Sequence, residues 1–261
     1  NKKMLTADEI IAISQFTKSV IESQFPKSIE NLSLNVIHRG VDITMFNPLN
    51  VTQQRIINEA DRIGLPDDLS VVMLPARPTS WKGHVILLQA LARLKHLDIA
   101  CVLLGAGDTN SGYSEMLEKK SVELGLGAHV RIATSTRDMP AALMLADVVA
   151  MPSIRPEPFG RVAIEAHAMG RPVVAFDHGG ARETISAGKT GWLAAPNDVD
   201  SLAQALETAL SLSQSDRDKL STLAQSAVKR RFSIKKMTTS TLAVYKNLLL
   251  KKGFSPLVLG K

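Results

Sequence analysis

The sequence predicts an α/β fold, a parallel sheet with helices on both faces, and three observations lead there. Short runs of β-branched and aliphatic residues alternate with helical patterns along most of the chain, as βαβ units do. Of its 261 residues, 45% are apolar and 21% charged, enough to bury a core and keep a polar surface. After Pro196 the pattern becomes purely helical, and such helices can cover a sheet edge.

The first forty residues stand apart. A strand is expected over 9–13, Ser14 as the N-cap of a helix over 15–25, and a further strand over 34–38. This piece has no sheet of its own to join, and the chain opens on Asn1 rather than Met. Both fit the tail of a preceding domain, with 36–48 as a hinge into the next. In the main unit, strands are expected at 71–74, 99–104, 130–133, 148–151, 173–176 and 192–194. Helices are expected between them at 83–95, 114–123, 138–146, 159–169 and 180–186. Asp138 is placed to cap its helix, and Gly170 and Gly188 stand where C-terminal caps belong. Three helices follow, 198–212, 215–231 and 233–251, the last long enough to lean on a neighbouring domain.

Composition narrows the function. No run of about 18 apolar residues and no basic-then-apolar leader occurs, so neither a membrane span nor a secretory signal is expected, and the location expected is cytoplasmic. The one cysteine, Cys101, lies in an apolar run and reads as core. A net charge of +6 suits phosphate-bearing ligands, anionic membrane surfaces or nucleic acid. With 4% aromatic residues and no basic stretch interleaved with rings, nucleic acid is excluded. The run Lys229-Arg230-Arg231 with Lys235-Lys236 reads first as a solvated turn, and second as a peripheral contact with an anionic membrane's inner face.

Chemistry concentrates in loops that leave strand ends. Arg77 and Lys82, five positions apart between the first main strand and its helix, combine a planar fork with a point charge, the mixture that clamps a diphosphate. That loop alone is read equally well as two solvated cations. Gly105-Ala106-Gly107-Asp108 permits close backbone approach but lacks the third glycine of a dinucleotide motif. The most informative stretch runs from Arg155 to Ala166. Phe159, Val162, Ala163, Ala166 and Met169 share one helical face, which leaves Glu165 on its flank and Glu157 in the loop before the helix. Amides around Phe159, Gly160 and Arg161 would point at a phosphate with the positive end of the helix dipole, and the two carboxylates could accept hydrogen bonds from vicinal hydroxyls of a ribose and a sugar.

These residues, in this order, resemble the donor-binding half of a family 4 retaining glycosyltransferase, a GT-B fold of two facing Rossmann-like domains. Residues 35–42 with Phe46 and Pro48 are similar to that family's interdomain hinge. Arg77 and Lys82 match its Arg-x4-Lys pair, with Ala76 where glycine is commonest, and Glu157 and Glu165 match its Glu-x7-Glu motif. Residues 170–175, Gly179-Gly180 and Glu183 match the segment after it, and Arg231-Phe232-Ser233 with the last helix resembles the crossing back to the acceptor domain. The resemblance spans about 8–252 and implies three units: 1–40 the end of an acceptor domain, 41–232 the donor domain, and 233–261 a crossover helix and tail.

The resemblance also implies roles. A hexose would pass from a nucleoside diphosphate sugar to a saccharide or lipid-linked acceptor of a cell-surface, lipopolysaccharide-like glycan. Arg77, Lys82 and Glu157 would serve the chemistry. Thr134 and Ser135 would meet the nucleobase through backbone groups, Phe159, Gly160 and Arg161 the phosphate through amides, and Glu165 the ribose. Retention would proceed by front-face attack without a protein nucleophile, and further groups, a histidine among them, would come from the other domain. No cofactor and no metal are implied: Asp198-Val199-Asp200 and Asp216-Arg217-Asp218 imitate a metal motif, but each opens a helix and reads as capping. His178, beside Gly179-Gly180, is the one histidine placed near a ligand, and Glu183 is read as structural. The competing readings are a noncatalytic nucleotide-sugar-binding module, and a GT-B epimerase or phosphorylase.

Overall fold

The computed structural model describes residues 6–26, 32–108 and 112–254. Among the described residues eight strands form: β1 (Glu9–Ala12), β2 (Ser33–Val36), β3 (Ser70–Pro75), β4 (Ile99–Leu104), β5 (Val130–Ala133), β6 (Val148–Met151), β7 (Val173–Phe176) and β8 (Gly191–Ala194). The main sheet is wholly parallel in the order β5-β4-β3-β6-β7-β8. Its first and fourth strands, β3 and β6, lie side by side at the centre, where the winding reverses direction. That is the Rossmann order, whose reversal point opens a crevice at the carboxyl ends of the strands.

Both faces of the inner strands are buried, which is why β4, β6 and β7 read as unbroken apolar runs, whereas the edge strand β5 carries Arg131. Alternation with period two still sorts the side chains: Val71, Met73, Val102, Leu104, Val149 and Met151 enter one core, and Val72, Leu74, Cys101, Leu103, Val148 and Ala150 the other. The first core is covered by α2 (Gln53–Ile63), α5 (Met139–Leu145), α6 (Arg161–Ala168) and α9 (Gln214–Arg231). The second is covered by α3 (His84–Leu91), α4 (Gly112–Glu123) and α8 (Val199–Leu210). Burial drives the Cys101 thiol up to about 12, so it stays protonated, as plain core.

Ser14 caps α1 (Gln15–Gln24) by accepting from the Thr17 amide, and Asp138 caps α5 by accepting from Ala141. Gly170 follows α6 with φ +71° and donates to the His167 carbonyl. Gly188 does not end a helix: α7 (Ala181–Thr184) stops short of it, and its amide turns back to the Gly191 carbonyl. Asp198 caps α8, and Ser213 caps α9 with Asp216 in the first turn. Lys229, Arg230 and Arg231 fill the last turn of α9, where the helix dipole favours cations.

Two further expectations are corrected. The opening piece does have a sheet: β1 and β2 pair with each other in parallel, with α1 between them in sequence. Helix α2 was not among the expected elements at all, though Thr52 caps it and Gly64 ends it at φ +67°. The hinge itself is tied to the chain's return. Val41 donates to the Phe232 carbonyl at 2.8 Å, Ile234 donates to the Val41 carbonyl at 3.1 Å, and a side chain at Gly40 would strike the Ile234 backbone. From there α10 (Ile234–Lys251) runs back to the opening piece, where Lys251 pairs with Glu9 and Lys252 with Asp8. The part of the expected tail beyond Phe254 lies outside the described residues. No helix of the described residues is long and apolar enough to cross a membrane.

Candidate active site

The loops that follow β3 and β6 meet at the reversal point of the sheet and are stitched together there. Ile154 donates its amide to the Trp81 carbonyl at 2.8 Å. Gly83 closes the first loop at φ +81°, and a Cβ there would sit 1.8 Å from the Pro152 carbonyl oxygen, so only glycine allows the approach. The two cations of the first loop differ. Arg77 is exposed, and its guanidinium has no ion-pair or hydrogen-bond partner among the described residues. Lys82 lies against the Trp81 ring, 4.3 Å from its centroid, and its Nζ is 2.6 Å from Glu157 Oε1. Ser153 Oγ donates to that same oxygen. The expected phosphate cation and the expected sugar carboxylate are thus each other's partners, both largely buried, with 17% and 12% of their side-chain surface exposed.

Helix α6 starts at the same place. Gly160, its N-cap, has φ +86° and offers no side chain to the first amides, which leaves the positive end of the dipole uncapped. Glu165, one turn in, accepts from the Arg161 guanidinium at 2.9 Å. Burial raises the Glu165 carboxyl's pKa, against the opposing pull of Arg161. Phe159 is placed differently from a ligand contact: its ring is 2% exposed and packs 5.7 Å from the His38 ring and 5.8 Å from Phe232. Its side chain is core, and only its backbone can face a ligand. The stripe of Ala163, Ala166 and Met169 is buried as the pattern requires, with Val162 partly so.

At the end of β5, Asp108 Oδ1 accepts from the Ser135 amide at 2.6 Å, and Arg62 Nη1 reaches both the Thr134 carbonyl (3.3 Å) and its hydroxyl (3.2 Å). The groups expected at a nucleobase are therefore engaged by Asp108 and by Arg62 of α2. Glu59 holds that arginine at 2.8 Å and accepts from Thr136. The signal for this helix lay in Thr52, the spacing of Ile56, Ala60 and Ile63, and Gly64.

Glu183 is structural, but it caps a helix other than its own. Its carboxylate accepts from the Gln15 and Phe16 amides at 2.8 and 2.9 Å and from His38 Nε2 at 2.9 Å, fastening α1 and the hinge to the main domain. Ser14 adds a bond to the Pro158 carbonyl, one residue from Glu157. His178 sits in the turn after β7, whose Gly180 amide donates to the Glu157 carbonyl at 2.8 Å. Both its ring nitrogens lack partners among the described residues. His84 and His167 are buried away from any such role. Among the described residues no three His, Cys, Asp or Glu side chains gather as metal ligands.

Residues 56–227 match the family model "Glycosyl transferases group 1". The chain belongs to that family. Among curated relatives, a GDP-mannose-dependent alpha-(1-6)-phosphatidylinositol monomannoside mannosyltransferase of Mycolicibacterium smegmatis is 34% identical over 210 residues, which is 77% of this chain and 52% of that one. The chain spans about half the length of the curated relatives it matches. Among solved structures, a glycosyltransferase from Rickettsia africae superposes with a TM-score of 0.88 at 31% identity, over 95% of this chain and 65% of that one. Anabaena HepE in complex with UDP-glucose superposes at 0.82 with 28% identity, over 92% and 64%. The fold is therefore that of the group 1, GT-B-type glycosyltransferases, a parallel sheet flanked by helices.

Proposed function

We propose that this chain is the donor-binding half of a retaining family 4 hexosyltransferase that draws on a nucleoside diphosphate sugar and needs no metal. One observation carries the reading: the Arg77/Lys82 loop, the Glu157/Glu165 helix start and the uncapped amides of α6 converge on the reversal point of the sheet. HepE, a structural relative, is seen with UDP-glucose, and the mycobacterial relative is a GDP-mannose-dependent enzyme, which supports a nucleotide hexose as donor.

In this reading the diphosphate lies across the α6 amides, between Arg77 and Lys82. Glu165 receives the ribose hydroxyls and Glu157 the sugar's. The bond from the anomeric carbon to the diphosphate oxygen breaks, the acceptor oxygen bonds to the same face, and its proton passes to the leaving phosphate. Fixed cations and helix amides stabilise the charge growing on that phosphate, the task for which preorganised electrostatics is suited. The acceptor, a saccharide or lipid-linked glycan, would be held with the remainder of the enzyme, so the chain by itself should bind donor without turnover.

Calorimetry of UDP, GDP and ADP and their hexose forms, with and without chelator, tests this. Binding that survives chelation is expected. Loss of binding on chelation would overturn the metal-free reading, and binding to no nucleotide would overturn the donor-site reading.

A further inference from the structure

Glu157 is held by one oxygen only. Lys82 and Ser153 both donate to Oε1, and Oε2 takes no hydrogen bond among the described residues. The two donors differ in what a ligand would do to them. Lys82 is a cation in the loop that meets the diphosphate, so an arriving phosphate competes directly with Glu157 for it. Ser153 is neutral and 2% exposed, between Pro152, whose carbonyl lies under Gly83, and Ile154, whose amide is bonded to Trp81. It gains no ion pair from a phosphate, and its burial leaves it facing Glu157.

We infer that Ser153 is a positioning residue for the donor sugar: it keeps Oε1 of Glu157 anchored when the diphosphate takes Lys82, so that Oε2 stays aimed at a sugar hydroxyl. This rests on the donor-site reading above and deepens it. A carboxylate with one fixed oxygen has lost its last free rotation before the ligand arrives, which is what a supporting residue contributes to a binding group. Without Ser153, donor binding would release Glu157 at the moment its orientation matters.

The consequence is a split that a merely structural serine would not produce. Nucleoside diphosphate and the matching nucleoside diphosphate hexose (the UDP, GDP and ADP pairs, with glucose and mannose as sugars) are titrated into the unmodified chain, Ser153→Ala, Glu157→Ala and the double variant, all checked for unchanged melting. Ser153→Ala is expected to leave free nucleotide within about twofold and to weaken the sugar-bearing form about five- to tenfold, less than the loss of a whole hydrogen bond to a charged group because Oε2 is misaimed and not removed. On the Glu157→Ala background it should add nothing, because its effect acts through that carboxylate. Equal weakening of both ligands, or full additivity with Glu157→Ala, would overturn the assignment. Should the unmodified chain bind no member of the panel, the donor-site reading fails by itself. Ser153 is then judged by ligand-free crystal structures on the Lys82→Ala background, where the serine alone holds Oε1: a Glu157 carboxylate that is single in Lys82→Ala and scattered in Lys82→Ala/Ser153→Ala supports the anchoring, and one unchanged between them overturns it.

Discussion

The carboxylate of Glu183 accepts a 2.9 Å hydrogen bond from His38 Nε2, although 145 residues separate the two in sequence. The same carboxylate covers the first amides of α1, so one side chain neutralises a helix N-terminus and pins the hinge. The helix it caps belongs to the opening piece. One carboxylate thereby joins α1 and His38 to the segment after β7, alongside the bond from Ser14 to the Pro158 carbonyl.

Replacing it should loosen that joint. Burial pushes the Glu183 carboxyl's pKa up, but the Phe16 and Gln15 amides and His38 outweigh this and hold it below its ordinary 4.5. A carboxyl depressed in the folded state stabilises the protein above its unfolded value and loses that contribution as pH falls through the folded one. Glu183→Gln should cost about 2 kcal/mol at neutral pH and flatten the stability loss below about pH 4.5. Hydrogen exchange at residues 15–18 should accelerate in the variant, and unchanged protection there would remove Glu183 from this role.

A second pH effect comes from two other groups. His84 and His167 are buried, and burial drives both from 6.5 to about 4. His84 lies against Tyr113, and His167 donates from Nε2 to the Thr190 carbonyl. Folded, they stay neutral while the unfolded chain protonates. Their stabilisation is therefore full above about pH 6.5 and is lost as pH falls toward 4. Two such groups give a slope of at most about 2.7 kcal/mol per pH unit. Urea unfolding between pH 4.5 and 7 should show it, and His167→Gln should reduce it by about half. A flat profile in that window would contradict the burial of both rings.

The main sheet was legible because strands buried on both faces read as apolar runs, and all six of its strands were expected to within one residue of either end. Helix α2 was missed for the complementary reason. It keeps a helical spacing of Ile56, Ala60 and Ile63 but is polar on average, buries only Glu59 and Ile63 and exposes Ile57, so it offers little core to notice, and its caps were a further signal. In the site, Arg77, Lys82, Glu157 and Glu165 could be singled out by spacing. The pairing of Lys82 with Glu157 could not, because they lie 75 positions apart and the two loops meet only where the sheet reverses direction. Phe159 fits both an apolar stripe and a helix start, and packing against His38 and Phe232 decides for the stripe.

That meeting of loops depends on one glycine. Gly83→Ala forces a left-handed backbone onto alanine and sets its Cβ against the Pro152 carbonyl, so the loops after β3 and β6 must separate. Strain of this kind alone costs about 1–3 kcal/mol, and the clash adds to it. The variant should melt lower and lose at least about tenfold in nucleotide affinity, since Lys82 moves with its loop. Unaltered melting and binding would show that the loops tolerate separation.

The two glutamates should divide their labour, and their partners suggest how. Glu165 is paired with Arg161 on the helix, where the ribose would lie, a part that nucleoside diphosphate and nucleotide sugar share. Glu165→Ala should weaken both ligands by about ten- to a hundredfold, the cost of a lost hydrogen bond between a charged group and a hydroxyl. Glu157 is paired with Lys82, so free diphosphate must first win that lysine from it. Glu157→Ala removes the competitor: free nucleotide should bind as well as before or more tightly, while the sugar-bearing form is weakened for want of its acceptor. In an enzyme complete with its acceptor domain, the same change should lower kcat as well, because an anomeric carbon held loosely is rarely aligned for attack. Calorimetry of both ligands against both variants decides between this and a shared role. Equal loss of free nucleotide in the two, with folding intact, would mean that Glu157 serves the diphosphate or the base and not the sugar.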